Sequence, residues 1–375
     1  MINLLLAILT SFIVVLLTTP SLIKVAFLKR LFDEPGDARK LHKRIVPTIG
    51  GIIIFAGTLF AFALWFPWNT LSNDHLSVAV REFQYIVAGL MVLFFVGVKD
   101  DIIGTAPIKK LAAHIIVGMI LVLMAEIRIK SLHGLFGVYD IPLWASIFLS
   151  LFTIIVIVNA FNLIDGVDGL ASGVALIGTL AFGVFFYLGG EIVMGTLAFA
   201  LAGSLAAFLV FNFSPAKIFM GDSGSLSIGL LMSILAIKFV EFTPASGTPV
   251  WMLPFVTPVV TMALLGYALT DTLRIFIYRA IRGLSPFSAD RNHLHHLLID
   301  GGFSHRKTVL WIYFTSILLI ALAMATTQFG VTISFIITAA AVLVFMMVPV
   351  LIKRRYQKKN GIKNNTRTLN PYEAA

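Results

Sequence analysis

The sequence has no cysteine, and only 12% of its residues are charged. The first absence excludes disulfides and thiol catalysis. The second, set against a 59% hydrophobic composition and a mean hydropathy of +0.97, excludes a soluble domain. A basic n-region is also missing: the first apolar run starts at Ile2, with no convincing small-residue cleavage site after it. That run therefore reads as a retained helix rather than a signal peptide. No repeat of 20–50 residues is evident. The net charge of +10 would point to nucleic acid in a soluble protein. In so apolar a chain it belongs to loops facing anionic headgroups, and membrane lipids rather than nucleic acid are the expected partner.

What is present is apolar and long. Hydropathy over about 19 residues predicts an all-α, polytopic integral membrane protein. Eleven spans are expected, near 2–23, 48–66, 83–98, 109–127, 142–161, 170–189, 193–211, 225–241, 250–272, 308–327 and 331–352. The loops after the odd-numbered spans, with the C-terminal tail, hold 24 of the 28 Lys and Arg residues. The positive-inside bias then places the N-terminus outside and the C-terminus in the cytoplasm. Residues 1–352 are expected to form one transmembrane catalytic domain, followed by a basic polar tail at 353–375. That tail reads most simply as a topology anchor.

Four polar clusters interrupt the apolar runs, all in loops assigned to the cytoplasmic side without reference to the acids. Asp100 and Asp101 close the third span. Adjacent carboxylates repel unless a cation or protons separate them, and Mg²⁺-phosphate sites use such acids. The plainer reading is a polar helix end paired with Lys99 or Lys109. Asn159, Asn162, Asp165 and Asp168 recur every third residue, so neighbours share a helix face. Gly166 and Gly169 would open that turn to a ligand, and the plainer reading is a set of helix caps.

Asn212 leads into Phe219-Met-Gly-Asp222-Ser-Gly-Ser, where Asp222 between glycines has the character of a ligand on an open turn. Phe219 could stack on a base. The Gly-Asp-Ser-Gly string also occurs around serine nucleophiles, but Ser223 has no evident base and acid partners. Asp290-Arg291-Asn-His293-Leu-His295-His296 holds three of the eight histidines. Zn²⁺ is one reading, a solvated basic loop another, and anion binding by His and Arg a third. The first loop carries Arg39, Lys40 and His42, suited to a lipid phosphate, a sugar nucleotide or topology alone. Gly50-Gly51 opens the second span, where close helix packing is the simple explanation.

Taken in order, the Asp-Asp pair, Asn-x-x-Asn-x-x-Asp-Gly-x-Asp-Gly, Phe-Met-Gly-Asp-x-Gly-Ser and Asp-Arg-x-His-x-His-His resemble the polyprenyl-phosphate N-acetylhexosamine-1-phosphate transferase superfamily, glycosyltransferase family 4. The resemblance covers residues of about 33–306. The last segment is similar to the branch that transfers GlcNAc-1-phosphate to undecaprenyl phosphate. Departures are one extra residue between Pro35 and Arg39, Arg44 where Gly is common, and His114 where Gln often follows the Lys-Leu pair.

The resemblance implies an eleven-span enzyme of the bacterial cytoplasmic membrane with a cytoplasmic active site. It implies a UDP-GlcNAc donor, an undecaprenyl phosphate acceptor and Mg²⁺, for which Mn²⁺ could substitute. A homodimer would suit the family. Asp222 would be the principal Mg²⁺ ligand, with Asp100 and Asp101 as further ligands at the reacting phosphates and Asp100 a candidate base. Asn162, Asp165, Asp168, Asn212 and Phe219 would form the nucleotide pocket, beside Asn159. His293, His295 and His296, with Asp290 and Arg291, would lie on the pyrophosphate and sugar side. Another UDP-amino sugar or UDP-MurNAc-pentapeptide is the alternative donor. An ion-coupled transporter is the distant alternative, which predicts acids near mid-bilayer rather than at span ends.

Overall fold

A computed structural model describes residues 2–29, 31–33, 46–243, 257–283 and 292–360. Among them the chain is overwhelmingly helical. The helices are α1 (Ile2–Leu28), α2 (Gly51–Leu64), α3 (Asn73–Ile103), α4 (Pro107–Met119), α5 (Leu143–Ile164), α6 (Leu170–Leu188) and α7 (Ile192–Asn212). They continue as α8 (Gly221–Val240), α9 (Thr257–Leu264), α10 (Gly266–Ile281), α11 (Leu294–Asp300), α12 (His305–Thr326) and α13 (Val331–Lys359). Two short antiparallel ribbons add to the all-α expectation. One pairs β1 (Phe32–Asp33) with β2 (Val46–Pro47), and the other pairs β3 (Ser131–Leu135) with β4 (Val138–Asp140).

Among the described residues, eight helices are long and apolar enough to cross a membrane. The pair α9 and α10, bent by 73° at Leu265, makes a ninth. The two remaining expected spans coincide with α2, a 14-residue apolar helix, and with α3, a 31-residue helix that begins and ends polar.

The core is built around α8, in which every residue from Ser223 to Ile237 is buried. It packs against α2, α3, α5 and α6. Small side chains allow this: Ser223, Gly224, Ser225, Ser227, Gly229 and Ser233 bring backbones close where lipid offers no hydrophobic drive. A Cβ at Gly229 would lie 2.7 Å from Val158 Cα. The outer helices instead point Leu5, Leu9, Ile13 and Leu17 of α1, and Leu343, Val344 and Met347 of α13, away from the protein. This is the pattern of lipid-facing surfaces.

Candidate active site

Three chain breaks place the acids at one end of the bundle. Helix α3 stops at Gly104, whose φ of +73° ends the helical path just past Asp100-Asp101. Helix α5 stops at Asp165, and Gly169 at φ +80° starts α6. Helix α8 begins at Gly221, also left-handed at φ +70°.

Asp101 joins two of these ends. Its Oδ1 accepts from the Asp222 N–H at 2.6 Å and its Oδ2 from the Ser223 N–H at 3.1 Å. It thereby caps, from α3, the first-turn donors of α8 that have no partner within their own helix. Glycines make the approach possible. A Cβ at Gly97 would stand 2.5 Å from the Ser223 nitrogen, and one at Gly221 would stand 2.7 Å from the Asp101 carboxylate. A Cβ at Gly51 would collide with the Gly224 backbone. Gly50-Gly51 is thus a close-packing element, as its position at the head of a span implied.

Asp100 and Asp222 face one another across Lys110. The Lys110 ammonium lies 2.8 Å from Asp100 Oδ2 and 2.5 Å from Asp222 Oδ2. Lys110, and not the expected Lys99 or Lys109, is thus the partner of Asp100. A clue was present: a lysine in the first turn of α4, just after Pro107, opposes the helix dipole and needs a local anion.

The Asn/Asp run lies against the same end. Asn162 Nδ2 donates to Ser225 Oγ at 2.9 Å, tying α5 to α8. Asn159 Nδ2 donates to the Ile155 carbonyl at 2.7 Å and lies 3.3 Å from His114 Nδ1. Burial pushes the Asp165 carboxyl well above the usual carboxylate range, and the charges of Asp222, Asp101 and Asp168 add to the shift. Asp168 accepts from the Ala216 N–H at 3.0 Å. Asn212 is engaged through both amide atoms: it accepts from the Gly169 N–H at 3.1 Å and the Ser172 hydroxyl at 2.8 Å, and donates to the Ile218 carbonyl at 3.0 Å. Asn212 and Asp168 therefore brace the loop that carries Phe219. The Phe219 backbone is fixed in turn, donating to the Pro47 carbonyl at 2.7 Å and accepting from the Gly50 N–H at 2.9 Å.

The histidine segment closes the site. A Cβ at Gly166 would lie 3.3 Å from His295 Nε2, so the Asn/Asp turn and the histidines are neighbours. His293 and His295 stack with ring centres 5.3 Å apart, and His296 lies 4.4 Å from His295. Burial holds the His295 imidazole well below its ordinary pKa. Two residues of α10 hold this segment and were missed: Asp271 Oδ2 lies 2.9 Å from His293 Nδ1, and the Tyr267 hydroxyl lies 3.3 Å from His295 Nδ1. An acid inside an apolar run was the available signal for Asp271. The expected residues Arg39, Lys40, His42, Asp290 and Arg291 lie outside the described residues.

The donor set fits Mg²⁺. Among the described residues, no three His, Asp or Glu side chains converge as a metal cage. Asp100 and Asp222 do offer one oxygen each to a single cationic centre, Lys110. One or two carboxylates completed by substrate phosphates is the arrangement Mg²⁺ favours. Both Asp101 oxygens already accept backbone hydrogen bonds, which makes Asp101 the organiser of the Asp222 turn.

Comparison with known proteins identifies the family. The family model for glycosyl transferase family 4 matches residues 83–240, the stretch from α3 to the end of α8. The probable undecaprenyl-phosphate N-acetylglucosaminyl 1-phosphate transferase of Bacillus subtilis is 32% identical over 343 residues, covering 90% of each chain. The undecaprenyl-phosphate alpha-N-acetylglucosaminyl 1-phosphate transferase of Yersinia pestis is 28% identical over 351 residues, covering 92% of this chain and 90% of its own. Its counterpart in Escherichia coli K12 is 27% identical over the same length. With a relative 32% identical over 90% of each chain and the family model matching residues 83–240, the chain belongs to glycosyl transferase family 4.

Proposed function

We propose that this protein transfers GlcNAc-1-phosphate from UDP-GlcNAc to undecaprenyl phosphate. The products are undecaprenyl-pyrophosphate-GlcNAc and UMP, the first membrane step of a cell-envelope glycan. The observation that carries the reading is the Lys110 ammonium between Asp100 and Asp222, at the bundle end shared with the Asn/Asp turn and the histidines. The names of the relatives support the donor and acceptor. The proposed setting is the bacterial inner membrane, with eleven spans, the N-terminus outside and the site facing the cytoplasm.

Both reactants are anions, so their mutual repulsion is the main obstacle. An oxygen of the lipid phosphate attacks the β-phosphorus of the donor. The bond from that phosphorus to the bridging oxygen breaks, and UMP leaves with that oxygen. The lipid phosphate has a second pKa near about 6 and is largely dianionic at neutral pH, so a general base is helpful rather than obligatory. Asp222 and Asp100 would hold Mg²⁺, which supplies charge neutralisation and in-line orientation when bound. Lys110 keeps those two carboxylates at one point and contributes positive charge where the phosphates meet. His293, His295 and His296 line the wall beside the Asn/Asp turn, placed to donate to phosphate oxygens. Braced by Asn212 and Asp168, the loop at 213–220 presents Phe219 for stacking on the uracil.

The deciding experiment is radiolabel transfer from UDP-GlcNAc to undecaprenyl phosphate by purified protein, with and without Mg²⁺. Metal-dependent label in a lipid product, with UMP released, is the expected result. Transfer only from another UDP-sugar would replace the donor and keep the reaction. No transfer from any donor by folded protein would refute the reading.

A further inference from the structure

We propose that Arg274 is a phosphate-binding residue of this site, presenting its Nε–Nη2 edge to two oxygens of a reacting substrate's phosphate. The inference rests on the transferase reading above. Arg274 lies on α10, one turn beyond Asp271, with its side chain only 20% exposed. Its Nε and Nη2 are buried and have no hydrogen-bond partner among the described residues. A buried donor left without an acceptor is costly, and more so on a charged group, so this edge calls for an explanation.

Asp271 accounts for the charge of Arg274 but not for its donors. Asp271 Oδ1 accepts from the Leu294 N–H at 2.9 Å, and Oδ2 is occupied by His293 Nδ1 at 2.9 Å. Arg274 Nη2 stays 3.6 Å from Asp271 Oδ1, beyond hydrogen-bond distance. The carboxylate therefore serves as a countercharge and leaves the N–H groups unspent. Nε and Nη2 form the side-on fork of a guanidinium, whose spacing matches two oxygens of one phosphate.

The location is also right. Asp271 holds His293, His293 stacks on His295, and His295 Nε2 stands beside Gly166 of the Asn/Asp turn. Arg274 thus joins the wall already assigned to the phosphates, from a helix that carries none of the expected site residues. Both the donor diphosphate and the lipid phosphate have the required oxyanion.

The test uses the full chain in detergent and compares wild type with Arg274→Lys and Arg274→Gln. KM is measured for UDP-GlcNAc at saturating lipid, then for undecaprenyl phosphate at saturating donor. The expected result is a rise of about 10-fold or more in KM for one substrate in both variants. A rise for UDP-GlcNAc assigns the fork to the diphosphate, and a rise for the lipid assigns it to the acceptor. Lysine keeps the positive charge beside Asp271 but lacks the fork. Full rescue by lysine, or unchanged KM for both substrates whatever kcat does, would overturn the proposal and leave Arg274 a countercharge for Asp271. Should Arg274→Gln fail to fold, the lysine variant carries the test. Wild type that transfers nothing would sink the transferase reading itself. Thermal shifts with inorganic pyrophosphate would then decide Arg274, a larger shift in wild type than in Arg274→Lys supporting it and equal shifts refuting it.

Discussion

The two ends of the helical bundle use acids in opposite ways. At the end remote from the site, Glu82 gives both oxygens to Lys238 at 2.8 and 2.9 Å. Glu241 accepts from the Lys130 and Ser131 N–H groups at 2.8 and 3.2 Å and so holds the start of β3. These two carboxylates are met by donors from one neighbour or one strand, and Glu191 lies near the same Lys238. At the site end, Asp100 and Asp222 share the single ammonium of Lys110, while Asp101, Asp165 and Asp168 crowd in behind. Carboxyl groups there outnumber the adjoining ammonium. Paired acids hold the fold together, whereas an excess of acids gathered from several helices is worth its cost only if a cation and a substrate complete it.

The contrast can be broken at either end. Asp222→Asn should have the largest effect, removing Mg²⁺-dependent transfer to background while the protein stays folded, as checked by radiolabel transfer and size exclusion. Normal turnover in that variant would refute the assignment of the site. Gly97→Ala comes next. The added methyl would press on the Ser223 backbone, so it should cost about 1–3 kcal/mol of stability and most of the activity. A thermal melt read beside turnover would check both. Glu82→Gln at the remote end should lower stability by a similar amount, because the half-buried Lys238 loses its countercharge and one of its two acceptor oxygens. Turnover per folded molecule should nonetheless remain at the wild-type level. Loss of turnover out of proportion to stability would erase the distinction between the ends. The smallest effect is expected for Lys358→Ala in the last turn of α13, which should leave both melt and transfer nearly unchanged.

Much of the site was legible because its residues are anomalies in an apolar sequence. Asp100-Asp101, Asp165 and Asp222 stand out where a span should end, and the three-residue period of Asn159 to Asp168 marks one helix face. Lys110, Asp271 and Arg274 were harder to read. Lysine and arginine near helix ends are ordinary, and nothing in the local sequence says which carboxylate each will meet. Asp100 and Lys110 are brought together only by the turn from α3 into α4, and Asp271 meets His293 only because the histidine segment packs against α10. The break between α9 and α10 also escaped hydropathy, since a continuous apolar run scores alike whether straight or bent by 73°.

The sequence alone determined the solvent this chain lives in, the approximate location of its helices and the chemical types gathered in its site. These follow from composition and local pattern, because burying polar backbone in lipid forces helices wherever an apolar run is long enough. Tertiary structure decided the division of labour within the motifs. It made Asp101 a cap on another helix and Asn212 a brace, and left Asp100 and Asp222 facing one cation. It also left the Nε and Nη2 donors of Arg274 buried without an acceptor among the described residues. Identical side chains acquire different roles because each role depends on which donors reach each oxygen, and those donors come from helices far apart in the chain.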